Sequence, residues 1–183
     1  MPSDSSHYEK LPLGWTFTRL KDIGSYGSGK TPKAAELHST GKYPYFKISD
    51  MNTAGNEKYL ELTKLFLPES YIGILFDINS IVFPKNGGAV LTNKKRMLTQ
   101  PSLVDLNTGV FTPSTMLDAD YMWYYFTTID FTDQSKGGVI PTLDRSVIEE
   151  RIMLIPPIKE QRRIVAAIEA GFDRLTTIVD NLT

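Results

Sequence analysis

The chain has 183 residues, 41% hydrophobic and 22% charged, enough for one ordinary domain with a buried core. Its 20 basic and 21 acidic side chains leave a formal net charge of -1, which excludes a uniformly basic nucleic-acid coat. There is no cysteine, so disulfides and thiolate zinc sites are excluded, and His7 and His38 have no metal-ligand spacing. No apolar run approaches the ~20 residues of a membrane helix, and the start MPSDSSHYEK is too polar for a signal peptide. The expectation is a cytoplasmic protein with no metal and no membrane association.

After a polar arm, residues 11–23 (LPLGWTFTRLKDI) predict a short strand and turn, with Trp15, Phe17, Leu20 and Ile23 as core candidates. The next stretch, GSYGSGKT from Gly24 to Thr31, matches the phosphate-binding pattern G-x-x-x-x-G-K-[ST] letter for letter. A working P-loop follows a buried apolar strand and opens a helix whose first amides cradle phosphate. Here RLKDI is short and charged, and Pro32 follows Thr31 at once. KAAELHSTGKYP then meets Ser39, Thr40 and Gly41 without the apolar stripe that packs such a helix on its sheet. GILFD is the nearest approach to a magnesium-holding strand, and its flanks are weak. The match is read as a coincidence.

YPYFKISDM predicts a strand by alternation, and NSIVFP a short buried one. GAVLT and SLVDLNTGVF predict two or three more. Residues 85–96 (KNGGAVLTNKKR), which include GAVLT, carry Lys85, Lys94, Lys95 and Arg96 and no acid. The run is either a solvated loop or a local anion-facing patch, where Asn86 and Asn93 add groups able to read base edges. LDADYMWYYFTTI predicts a helix capped by Asp118, with Tyr121, Met122, Tyr125, Phe126 and Ile129 at helical spacing. That spacing favours core over a base-stacking platform. LDRSVIEERIMLIPPI predicts one helical turn capped by Asp144, then a strand stopped by Pro156 and Pro157.

From Ile158 onward no proline interrupts the chain. Val165, Ile168, Phe172, Leu175, Val179 and Leu182 recur at alternating intervals of three and four, a coiled-coil seam widened by Ile164 and Ile178. A helix of ~25 residues spans roughly 37 Å, so it either packs back on its domain or pairs with another helix. The regular seam favours pairing, and Gly171 suggests a close helix contact. No nucleophile–base arrangement or S-adenosylmethionine loop is recognisable, so no catalytic residues and no bound cofactor are expected.

Several stretches together resemble one family, the DNA specificity subunits of type I restriction-modification systems. They are the opening LPLGWTFTRLKDIG, the G-x-TP element of Gly29, Lys30, Thr31 and Pro32, the strand YPYFKISDM, the turn FPKNGGAV and the aromatic helix DADYMWYYF. The most specific is IPPIKEQRRIVAAIEAGFDRL, similar to the start of the family's long conserved helix. The resemblance implies an α+β fold: a mixed α/β target-recognition domain of several short strands over residues 1–155, then a long C-terminal coiled-coil helix over 156–183. In the family GKTP is a structural turn.

The family usually carries two such domains and two helices, so this chain resembles a half subunit. The resemblance then implies homodimerisation through Val165, Ile168, Phe172, Leu175, Val179 and Leu182, and an interrupted palindromic DNA site. Implied partners are double-stranded DNA, a modification subunit that binds S-adenosylmethionine and methylates adenine, and a restriction subunit. The main candidates for DNA contact are Lys85, Asn86, Asn93, Lys94, Lys95 and Arg96, with Lys30, Lys33, Gln134 and Lys136 behind them. The rival reading is a coiled-coil interaction module that binds no DNA.

Overall fold

A computed structural model describes residues 11–132 and 141–182. Ten strands and four α-helices follow in order: β1 (Thr16–Arg19), α1 (Leu20–Ile23), β2 (Gly24–Ser28), β3 (Tyr43–Phe46), β4 (Tyr59–Leu60), β5 (Phe66–Leu67), β6 (Ile81–Pro84), β7 (Arg96–Leu98), β8 (Leu103–Val104), β9 (Thr108–Pro113), α2 (Ala119–Thr127), α3 (Arg145–Glu149), β10 (Ile152–Ile155) and α4 (Ile158–Asp180). The expected α+β class, several short strands and a long final helix, is what the chain forms.

The central sheet has the order β2-β9-β6-β7-β4, and a smaller one the order β5-β3-β8. β6 is buried at all four positions because the central sheet is covered on both sides, which is why IVFP reads as a continuous apolar run. Ile81 and Phe83 point with Phe111 into a core closed by Met122 and Phe126 of α2 and Ile148 of α3. Val82 and Val110 point the other way, into a second core with Phe46, Leu60, Phe76 and Leu98. A third cluster, Tyr45, Leu67 and Leu103, belongs to the small sheet.

The aromatic helix is built as a core element. Met122, Trp123 and Phe126 are buried, and Asp118 caps the helix by accepting from Tyr121 N–H at 3.0 Å. Tyr121 and Tyr125 donate their hydroxyls to the carbonyls of Leu154 and Ile152, at 3.0 and 3.2 Å, which ties α2 to β10. Burial pushes the Tyr125 hydroxyl up to about 12.

Three local expectations need correction. GAVLT is not a strand but a 3-10 turn, Gly88–Thr92. Gly87 at φ 75° and Asn93 at φ 51° turn the backbone out of the extended path at both its ends. The strand expected for YPYFKISDM stops at Phe46, and Ile48–Asn52 is a further 3-10 turn. Phe17, a core candidate by its sequence, is 43% exposed, because β1 pairs only with β10 in a two-stranded ribbon. Leu20 is fully buried, while Trp15 and Ile23 are half-buried.

α4 divides into two parts. Val165 is buried and Ile168 half-buried, so the start of the apolar seam faces the chain's own domain. Every residue from Glu169 to Leu182 is exposed, including Phe172, Leu175, Val179 and Leu182 of that seam. Among the described residues, nothing lies within 4 Å of where a Gly171 side chain would be, so none of them makes the close contact suggested there. No helix among the described residues is long and apolar enough to cross a membrane.

Candidate nucleic-acid interface

One end of the central sheet collects most of the candidate residues. β2 and β6 finish there, and β9 and β7 begin there, because Ser28 lies opposite Gly109, Pro84 opposite Thr108, and Val82 opposite Arg96. β4 runs parallel to β7 and starts at the same end. At ~4.8 Å per strand, five strands give this end a length of roughly 19 Å. Along it stand Lys30 after β2, Lys85 and Asn86 after β6, Asn107 before β9 and Lys94 before β7.

The GSYGSGKT motif supplies the first of these positions, and its surroundings explain its glycines. Residues 24–28 are β2, paired along their length with β9, so the first half of the motif is strand and not a phosphate-cradling loop. Gly29 donates to Thr108 O at 3.0 Å, and a Cβ on it would sit 2.1 Å from Asp105 O. A Cβ on Gly27 would meet the Phe76 ring at 2.4 Å. Both glycines are needed for close approach of a neighbour. Lys30 follows, exposed, with its N–H donating to Val104 O at 2.9 Å.

Lys85 and Asn86 are fixed by backbone bonds on both sides. Lys85 donates its N–H to Asn107 O and accepts from Leu143 N–H, both at 2.8 Å. Its ammonium reaches back to Ser28 Oγ at 2.9 Å. The Asn86 amide donates to Asn107 Oδ1 at 3.4 Å. This leaves the remaining donors and acceptors of two adjacent amides half-buried, with Asn86 in a cleft shared with Tyr26, Thr142 and Arg145. The sequence does not single out Asn107. Its context, LNTG, reads only as a turn, and it is the pairing of β6 with β9 that sets it beside Asn86.

The other half of the 85–96 run is mostly committed inward. Lys95 is only 4% exposed. Its ammonium donates to Asn93 Oδ1 at 2.7 Å and to Ile129 O, and lies 4.4 Å from the centre of the Phe131 ring. Burial lowers its pKa to about 8 against the pull of Asp130, with Arg151 lowering it further. Asn93 also accepts from Phe131 N–H at 2.9 Å, so its side-chain oxygen is doubly used. Arg96 donates to Lys95 O at 2.7 Å and to Met51 O at 2.6 Å, and burial lowers its pKa. As placed, Lys95 cannot meet a phosphate without abandoning those partners, and Asn93 and Arg96 hold backbone. Lys94 alone of the four turns outward, half-buried and donating to Asn52 Oδ1.

Lys33 is exposed and lines a separate cleft together with Lys30. Gln134 and Lys136 lie outside the described residues. Among the described residues, no ion pair engages Lys30, Lys33, Lys85 or Lys94, whereas Lys58 is paired with Asp120 at 2.7 Å. No group of three His, Asp or Glu side chains that could hold a metal occurs among those residues.

Comparison with known proteins agrees with this architecture. The family model described as type I restriction modification DNA specificity domain matches residues 12–182. The chain is 26% identical over 174 residues to the type I restriction enzyme MjaVIII specificity subunit of Methanocaldococcus jannaschii, covering 92% of this chain and 38% of that protein. It is 22% identical over 172 residues to the MjaIX specificity subunit of the same organism, covering 91% and 40%. It thus spans about two fifths of the length of these curated relatives. A chain solved in a study of complex assembly and conformational transition of the type I R-M system superposes with a TM-score of 0.76 at 16% identity, covering 97% of this chain and 42% of that one. The HsdS subunit from Thermoanaerobacter tengcongensis gives 0.70 at 15% identity, covering 96% and 42%. These two share the fold. The match over nearly the whole length settles the kinship: the chain belongs to the type I restriction modification DNA specificity domain family.

Proposed function

We propose that this chain reads a short DNA half-site for a type I restriction-modification complex and leaves the chemistry to partner subunits. The observation that carries the reading is the family match over residues 12–182, on a chain whose central sheet ends in adjacent side-chain amides and in lysines that have no ion pair among the described residues. Lys30, Lys85 and Lys94 would hold phosphates, which position a protein on a duplex without reading sequence. Asn86 and Asn107 would read base edges, since a side-chain amide offers the donor and acceptor that complement adenine in the major groove.

The same reading gives α4 its purpose. Its exposed residues Phe172, Leu175, Val179 and Leu182 would pair with a second copy, generating two identical readers and a palindromic, interrupted site. A modification subunit would dock on this framework, bring its own S-adenosylmethionine and methylate an adenine, and a restriction subunit would cut. This chain itself would hold no cofactor and catalyse nothing.

The test is reconstitution. The chain is combined with its modification subunit, supplied with S-adenosylmethionine and random-sequence DNA, and the methylated adenines are mapped. Methylation confined to an inverted repeat with a fixed gap supports the reading. Methylation that is the same with and without this chain defeats it.

A further inference from the structure

Between two backbone clamps, the chain presents an apolar tip to solvent. On one side Tyr71 N–H donates to Pro68 O at 3.0 Å, and on the other Phe76 and Ser102 exchange both backbone bonds, at 2.8 and 3.0 Å. Tyr71 and Leu75 pack inward against the Tyr45, Leu67 and Leu103 cluster. The Tyr71 ring crosses Gly73 so closely that a Cβ there would lie 2.0 Å from its hydroxyl. The two residues flanking that glycine face out: Ile72 is 100% exposed and Ile74 is 77% exposed. Isoleucine has few rotamers, so a tip braced in this way holds both side chains outward at small ordering cost.

Beside the tip lies a cationic cleft of about 580 Å³, lined by Lys30, Lys33 and His38 together with Ser70, Tyr71 and Ile72. Among the described residues, Glu36 is the one carboxylate residue lining it, and that side chain accepts from Lys33 N–H at 2.7 Å. Lys30, two residues beyond Ser28, both lines this cleft and stands at the sheet end proposed to meet DNA, so the two surfaces adjoin at that lysine. An apolar protein partner would account for the isoleucines but not for the cations beside them. Duplex DNA accounts for both, because apolar side chains wedge between base steps while cations hold the flanking phosphates.

We infer that Ile72 and Ile74 form a wedge that enters the duplex and partly unstacks a base step, with Lys30 and Lys33 on the neighbouring phosphates. This rests on the DNA-recognition reading and adds a deformation to it. Unstacking near the site also suits a reaction whose target adenine must leave the helix.

The test uses the full chain assembled with its modification subunit, and a duplex that this assembly selects from a random-sequence pool. The adenines of that duplex are replaced one at a time by 2-aminopurine, whose fluorescence rises on unstacking, and Ile72→Ser/Ile74→Ser is compared with the unmutated chain. Both positions are exposed, and circular dichroism checks that the variant folds. The expected result is loss of the fluorescence rise at one step and binding weaker by about tenfold or more. Binding within about twofold and an unchanged fluorescence rise would overturn the wedge while leaving DNA recognition standing. A variant that no longer assembles with the modification subunit would make the tip a protein-docking surface, and would overturn it too. If the unmutated assembly selects no duplex, the recognition reading and the wedge fall together.

Discussion

Gln161 in the first turn of α4 is locked to Asp118 at the cap of α2: its side-chain oxygen accepts the Asp118 N–H at 2.9 Å. Its amide nitrogen donates to Pro156 O, also at 2.9 Å, and the residue is 2% exposed. One buried amide therefore satisfies a helix-cap donor and a carbonyl at the Pro-Pro break, and so sets where the long helix leaves the domain. Arg162 adds a weaker link to Asp118 at 3.7 Å.

Replacing Gln161 with Ala leaves two buried backbone groups without their partner. Loss of stability by ~1–3 kcal/mol is expected, read as a lower urea midpoint at unchanged slope. A midpoint equal to that of the unmutated chain would mean water replaces the amide without cost, and the lock would not exist.

Lys95 predicts a pH dependence with a definite sign. Its folded pKa is about 8 against an ordinary 10.5, so between these values the unfolded chain holds a proton that the folded chain has released. Stability attributable to this residue therefore rises with pH across that window, and the cost of the buried ammonium is fully present below it. Lys95→Met removes the titration while keeping most of the packing volume. The unmutated chain should gain on the variant by up to about 3 kcal/mol from pH 8 to 10.5 in denaturation experiments. Parallel profiles for the two proteins would sink the assignment.

Much of this architecture is legible in the sequence, for physical reasons that differ by element. β6 stands out because burial on both faces demands a continuous apolar run, and α2 because an Asp cap and helical spacing coincide. α4 stands out by its uninterrupted period. The 85–96 run is harder to read. Charge composition cannot tell Lys94, which turns outward, from Lys95 one residue away, which is buried against Phe131. Asn107 is invisible for a related reason: only a long-range strand register, Pro84 opposite Thr108, brings it to Asn86. In the same way, the phosphate-binding pattern carries no trace of the β9 pairing that turns its first half into strand.

That pairing has its own consequence. Neither ATP nor GTP with magnesium should bind measurably, because Gly24–Ser28 is strand paired with β9 and the amides of Gly29 and Lys30 donate to Thr108 O and Val104 O. Equilibrium dialysis with labelled nucleotide checks this. Saturable micromolar binding abolished by Lys30→Ala would reverse the reading of GSYGSGKT.

The exposed half of α4 predicts a dimer. A charge at Leu175, in the middle of the exposed seam, should separate the copies, because burying it without a partner costs several kcal/mol. Sedimentation velocity of the unmutated chain at micromolar concentration should give the dimer, and Leu175→Asp the monomer. An unmutated chain that sediments as a monomer counts against pairing through this helix.

The sheet end gives the sharpest separation of roles. Lys30, Lys85 and Lys94 stand along it without ion-pair partners among the described residues, while Lys95 and Arg96 hold backbone carbonyls. Replacing the first three with Ala in the assembled complex should weaken cognate and unrelated duplexes alike. It should also flatten the salt dependence by roughly one unit for each phosphate that a lysine no longer neutralises. Asn86→Ala and Asn107→Ala should instead act on the preferred site, by ~1–3 kcal/mol where an amide reads an adenine edge. The two asparagines are already joined at 3.4 Å, so their double variant should cost less than the sum of the single ones. Lys95→Met tests the converse, since a buried lysine should alter stability and leave the salt slope unchanged. If the Lys30, Lys85 and Lys94 variant binds with its affinity and salt slope intact, the DNA meets another face. If Lys95→Met is the change that flattens the slope, the inward ammonium must turn out on binding, and the partition of the 85–96 run is the reverse of the one drawn from its geometry.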